Sequence, residues 1–211
     1  MDKRDYKFGL SAGLLIGIFF LPILNVTEPA LYASYYPYII PFFLIGTPVG
    51  LLVAKAISGK ISIVWPIAKF GVIGVLNTLI DWGVLGFLTL YFAVDPKEEF
   101  ILFGLFGLTF YFLYKSASFV VANVNSYFWN KYWTFSGNIS KKTPQEFIQF
   151  FAVSVIGFLL NVGIAVYIFS SIQPAAGFNS DQWGIVGAAL GSLAGLIWNF
   201  IGYKLFVFKS R

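Results

Sequence analysis

The sequence predicts an all-α integral membrane protein. It has six transmembrane helices, both chain ends in the cytoplasm, and a two-span parallel internal repeat formed by the third/fourth and fifth/sixth spans. Three observations carry this reading. The 211 residues are 58% apolar and 11% charged, with a mean hydropathy of +0.80, where a soluble domain carries about 25% charged residues. So few charges cannot cover a water-facing surface, and lipid must be the solvent. The apolar residues also fall into span-length runs, and the basic residues between those runs alternate in a way that fixes a side.

A crossing needs roughly 20 mainly apolar residues. The stretches that qualify are Phe8–Leu24, Tyr38–Ile57, Ile67–Tyr91, Ser116–Trp133, Phe147–Ile172 and Trp183–Phe208. The first is the shortest, and its basic lead (Lys3, Arg4, Lys7) also fits a cleaved signal peptide. Small-residue cleavage chemistry is missing after Leu24, and Pro29 and bulky tyrosines follow, so a retained signal anchor is the better reading. Lys55, Lys60 and Lys69 lie between the second and third spans or at their edges. Lys131, Lys141 and Lys142 lie between the fourth and fifth, and Lys204, Lys209 and Arg211 end the chain. Twelve of the 14 basic residues thus share a side, the exceptions being Lys97 and Lys115. The positive-inside rule makes that side cytoplasmic, and a multi-pass protein of the cytoplasmic membrane follows.

One stretch resists this division. Phe100 to Trp133 is nearly unbroken apolar sequence, roughly 50 Å long as a single helix. A separate full span there would move Lys131, Lys141 and Lys142 to the wrong side. Phe100–Tyr114 is therefore expected as a re-entrant or outer-surface helix ending at Lys115, with the fourth span starting at Ser116. Lys115 would snorkel to the outer interface.

The chain repeats itself. KFGVIGVLNTLIDWG, Lys69–Gly83, places Phe70, Asp81 and Gly83 as Phe150, Asn161 and Gly163 are placed in QFFAVSVIGFLLNVG. SYFWNKYWTF, Ser126–Phe135, lies over NFIGYKLFVF, Asn199–Phe208, pairing Lys131 with Lys204 and Phe135 with Phe208. Apolar helices resemble one another by chance, but coincident polar landmarks and basic-aromatic ends favour a genuine repeat. Each unit has two spans, so both enter from the same side. The expected organisation is a two-span extension with its linker over 1–66 and a four-span domain over 67–211, whose halves are 67–142 and 143–211.

At these residues the sequence resembles the GtrA-like family of small polytopic membrane proteins. The resemblance runs from Lys69 to Phe208 and rests on Gly74, Asn77, Thr78 and Asp81, on NSYFWNKYWTF (Asn125–Phe135), and on the closing NFIGYKLFVF. It implies movement of a polyprenyl-phosphate-linked sugar across the membrane for cell-surface glycan or polysaccharide synthesis. It also points to a second role, since a similar four-helix unit is attached to dolichol-phosphate mannose synthase-type glycosyltransferases. The spans before Ile57 depart from the family's four-span pattern.

The polar residues at membrane depth are the candidate substrate-binding set. Asp81 lies about 18 Å beyond Lys69 along a helix, near the midplane, where a carboxylate is costly and faces the bundle interior or a wet cavity. It reads as a sugar ligand, a proton-coupled carboxylate or an interhelical hydrogen bond. Asn77 sits one turn earlier on the same face. Asn161 takes the equivalent depth in the second unit, and Asn123, Asn125, Asn130 and Asn199 line the partner spans. Amides offer donor and acceptor to sugar hydroxyls, and they serve equally as glue between helices. Lys131 and Lys204 read as headgroup-level anchors or as a repeat-related pair gripping a lipid phosphate, with Lys115 meeting it outside. Trp133 reads as a belt residue or a platform for a sugar ring. Gly71, Gly74, Gly83, Gly184, Gly187, Gly191 and Gly195 are expected at close helix contacts.

The sequence has no Cys and no His, which removes disulfides, thiolate nucleophiles and almost all zinc and haem sites. The net charge of +5 is scattered in single residues, unlike a nucleic-acid footprint. No cofactor or metal is implied, and ATP cannot be used directly, since no Walker motif is present. An enzyme is the weakest class, because the membrane-depth acid is single. The leading expectation is a flippase for a polyprenyl-phosphate-linked monosaccharide. The alternatives are a non-transporting subunit that recruits a glycosyltransferase partner, and a small-solute exporter. Its partners are that lipid-linked sugar and membrane lipids, and a homodimer is one way for so small a bundle to enclose a path.

Overall fold

Helix α1 (Lys3–Thr27) begins where Asp2 supplies its N-cap, the carboxylate accepting the Asp5 N–H at 2.7 Å. That bond holds the Asp2 carboxyl below its ordinary value. The computed structural model describes residues 1–208 apart from 93–98, 103–105, 136–143, 176 and 178–179. After α1 come α2 (Pro29–Ser58), α3 (Val64–Phe92), strands β1 (Glu99–Leu102) and β2 (Phe106–Thr109), α4 (Phe110–Trp129), α5 (Pro144–Ser171) and α6 (Ser180–Gly202). Both α4 and α6 pass directly into a π-helical turn, Asn130–Thr134 and Tyr203–Val207 respectively.

The expected fold class is found: long apolar helices dominate the described residues. Lys3–Asn25, Pro29–Ser58, Val64–Leu88, Pro144–Ile168 and Ala189–Val207 are each long and apolar enough to cross a membrane. Among the described residues α4 does not reach that hydropathy. Its sequence explains this, since Lys115, Ser116, Ser118, Asn123, Asn125 and Ser126 punctuate it.

Two local expectations are corrected. Of the helix expected over Phe100–Tyr114, only Phe110–Tyr114 is helical among the described residues. Glu99–Leu102 pairs antiparallel with Phe106–Thr109, Phe100 opposite Leu108 and Leu102 opposite Phe106, and α4 starts at Phe110. Aromatic and β-branched residues favour a strand here, and Gly104 and Gly107 disfavour a helix. The second span also begins well before Tyr38. Glu28 alone separates α1 from α2, and Pro29 opens the new helix, a position where its missing N–H costs nothing.

The α1–α2 pair is closed by glycines at four-residue spacing. Gly9 faces Leu51 and Pro48, Gly13 faces the Phe43 carbonyl and Thr47, and Gly17 faces Ile40. The pairing order is antiparallel, and the missing side chains let the two backbones approach, as membrane helices require in the absence of a hydrophobic driving force. A Cβ at Gly13 would land on backbone, whereas one at Gly46 on α2 would meet nothing. Gly13→Ile should therefore cost about 1–3 kcal/mol of stability, read as thermal unfolding in detergent, with Gly46→Ile nearly neutral.

By contacts the chain forms two compact units, Met1–Thr134 and Phe135–Arg211. The extension thus packs with α3 and α4, and the expected boundary between the halves, 142/143, lies outside the described residues. In the first unit Ile16, Leu76, Leu79, Ile80 and Ala122 form one buried cluster, and Ala12, Leu51, Ile73 and Trp133 another. In the second unit α5 and α6 pack antiparallel. Gly187 meets Ala165 and Ile168, Gly191 meets Asn161, Gly195 meets Gly157, and Gly202 meets Val153. Gly83 packs on Phe19, as expected of a contact glycine, but Gly71 and Gly74 have open space beside them.

Candidate functional site

The polar residues of α4 and its π-turn recur at three- and four-residue steps, so Asn123, Ser126, Asn130 and Thr134 form one stripe. All are buried. The Asn123 amide donates to the Phe119 carbonyl at 2.9 Å, and the Asn130 amide to Ser126 at 2.9 Å (carbonyl) and 3.2 Å (hydroxyl). The stripe is not satisfied. Asn130 Oδ1 and Thr134 Oγ1 are buried with no hydrogen-bond partner among the described residues, although Asn130 is 0% exposed. Asn125 Nδ2 and Asn77 Oδ1 on α3 share this condition. A buried orphan of this kind costs about 1–3 kcal/mol, so an unfilled set points to a ligand or to water.

Asp81 is half-buried on α3, where Ser118 of α4 donates to its carboxylate at 2.6 Å. Gly71 and Gly74, with open space beside them, lie about three and two turns before it. Asn125 accepts from the Trp129 indole at 3.1 Å. Lys131 and Lys204, a matched pair in sequence, differ in place. Lys131 is 2% exposed and donates to the Tyr127 hydroxyl at 3.0 Å, whereas Lys204 is exposed. Lys115 falls in the second turn of α4.

Trp133 is placed differently from the expected sugar platform. It is 0% exposed, and Phe8 stacks on it at 5.6 Å. Its indole N–H donates to Asp5 at 2.9 Å, and its carbonyl accepts from the Lys69 ammonium at 2.9 Å. Asp5 and Lys69 are themselves a buried ion pair at 3.5 Å. Trp65 carries the Lys69 ammonium over its ring at 5.1 Å and that of Lys55 at the same distance. The sequence reading missed this group, because Lys69 looked like one more inside lysine. The signal available was Asp5, a lone acid inside the basic lead Lys3, Arg4, Lys7.

The remaining candidates belong to the second unit. Asn161 lies against Gly191 and Gly195, and the Asn199 amide fills the notch over Gly157. Asn199 Oδ1 is buried without a partner among the described residues. Tyr203 is stacked on Phe150 at 4.2 Å, with its hydroxyl 2.6 Å from Ser154.

Long apolar helices around a buried polar stripe define a multi-span membrane protein. The profile of the GtrA/DPMS transmembrane domain matches residues 69–208, and this chain belongs to that family. A relative, the uncharacterized membrane protein YngA of Bacillus subtilis (strain 168), is 27% identical over 147 residues, which cover 67% of this chain and 78% of the relative. No solved structure matches.

Proposed function

We propose that this protein moves a polyprenyl-phosphate-linked monosaccharide from the inner to the outer leaflet of the cytoplasmic membrane, without catalysing a reaction. The observation that carries the reading is the unfilled buried stripe: Asn130 Oδ1 and Thr134 Oγ1 are buried with no donor among the described residues. Sugar hydroxyls are such donors, and membership of the GtrA/DPMS family supports the choice. Asp81, Asn77, Asn123 and Asn125 extend the polar lining on the same pair of helices, α3 and α4. Lys131, held by Tyr127, adds positive potential behind the site.

Two further proposals belong to this reading. The chain is a parallel repeat, supported by the π-turns, which start at Asn130 and Tyr203, positions the sequence repeat pairs. Phe135 and Phe208, also paired by the repeat, stack at 5.3 Å. Six crossings with both ends cytoplasmic follow from the basic residues. Single cysteines in this Cys-free chain should label from the cytoplasm at Ser58 and Ser136 and from outside at Lys97. Outside labelling at Ser136 would end the six-span arrangement.

Binding tests the functional reading. Purified protein should bind a labelled polyprenyl-phosphate monosaccharide saturably, and Asn130→Leu should weaken binding about tenfold, the loss of one hydrogen bond to a polar ligand. Undiminished binding by Asn130→Leu would remove the stripe from the site. Copurification of a glycosyltransferase without lipid-sugar binding would favour the recruiting role.

A further inference from the structure

We infer that the N-terminal helix α1, which lies outside the residues matched by the family profile, is a positioning element for the first π-turn, with Asp5 and Lys69 holding Trp133 by both of its polar ends. The inference rests on the proposed reading of the stripe as a headgroup site, because Asn130 and Thr134 are the ends of that turn.

A π-turn is a rare variant of helix geometry, found mostly as single turns within α-helices and frequently at functional sites. It persists where its surroundings favour it over the α-helical alternative. Trp133 is where those surroundings act. Its carbonyl belongs to the last turn of the helix, where carbonyls lack intrahelical donors, and the Lys69 ammonium supplies one at 2.9 Å. Its indole N–H is taken by Asp5 at 2.9 Å. The 3.5 Å contact between Asp5 and Lys69 joins these two grips. Phe8, one turn after Asp5, covers the indole face at an interplanar angle of 16°. Trp65 stands under the ammonium that holds the carbonyl. Residues from α1 and α3 thus fix both the direction of one backbone carbonyl and the plane of one ring within the turn.

Stability alone does not call for such a group. A buried ion pair is generally no better than well-packed apolar residues of the same volume. What apolar residues cannot do is aim: the two charged groups make directional bonds to opposite ends of a single residue. That residue is followed by Thr134 and preceded, within the same turn, by Asn130. The extension is therefore part of the site's frame and not only an additional anchor.

The test uses the full chain with Asp5→Leu/Lys69→Met, which removes both charges together and leaves neither one buried alone. Thr134→Cys, introduced into this Cys-free sequence, reports access to the turn. The double variant should unfold close to the wild-type temperature, yet the introduced thiol should react with a maleimide at least about tenfold faster, and a polyprenyl-phosphate monosaccharide should bind about tenfold more weakly, the scale of one lost directional hydrogen bond. Wild-type reactivity in a double variant that unfolds like wild type overturns the inference. Trp133→Phe, which keeps the ring and its stack but loses the N–H, decides the matter where the double variant is unstable. Faster labelling there supports the positioning role, and unchanged labelling overturns it. Absence of lipid-sugar binding by the wild type would sink the proposed function, while the labelling result still decides what α1 does.

Discussion

Asp5→Ala alone should destabilise the protein by about 3–5 kcal/mol, the cost of leaving one member of a buried ion pair without its partner. Lys69 would keep its charge in a site 7% exposed, with the Trp133 carbonyl and the Trp65 ring as its remaining partners. The Trp133 N–H would lose the Asp5 acceptor at the same time. Chemical unfolding in detergent reads this directly. Asp5→Leu/Lys69→Met should recover most of the loss, because replacing the pair with apolar groups removes the uncompensated charge. Equal loss in the single and the double variant would mean that α1 contributes packing and not charge.

Asp81 should show the largest effect on transport. Asp81→Leu removes the acceptor that Ser118 reaches at 2.6 Å and any bond to a sugar hydroxyl. Hydrogen bonds to a charged group are worth about 1.5–3 kcal/mol, so transport should fall about 10- to 150-fold. Asp81→Asn keeps an oxygen acceptor for Ser118 and should retain transport within about threefold. Its pH profile should follow the wild type, since the sequence aligns Asn161 with Asp81 and so sets an amide opposite the acid. Loss of a pH-gradient dependence in Asp81→Asn would instead make this carboxylate a proton carrier.

The membrane class was legible because hydropathy and basic-residue placement sum over many residues, and no single contact decides them. The helices α3, α5 and α6 overlap their expected spans for that reason. The asparagines of α4 stand out in an apolar helix, but which of their atoms are buried without partners among the described residues was not legible. The Asp5–Lys69–Trp133 group joins residues separated by 64 and 128 positions, and nothing local marks such a pairing. Hydropathy also measures transfer to lipid and not backbone geometry. Phe100–Thr109 therefore read as helix although Glu99–Leu102 and Phe106–Thr109 pair as antiparallel strands. The Gly9, Gly13 and Gly17 series, absent from the expected contact glycines, emerged only with its partner, the face of α2 at Ile40, Phe43 and Thr47. Gly71 and Gly74 show the converse, small residues read as packing that have open space beside them.

Leaflet-resolved transport decides whether the protein carries its lipid-linked sugar across the membrane. Purified protein is reconstituted into vesicles with a labelled polyprenyl-phosphate monosaccharide placed in one leaflet, and its arrival in the other is followed with an impermeant probe. The wild type should speed that arrival well above protein-free vesicles, with Asn130→Leu and Asp81→Leu slowing it and Gly46→Ile leaving it unchanged. Movement no faster than in protein-free vesicles, from protein shown to be folded and correctly inserted, would contradict the account.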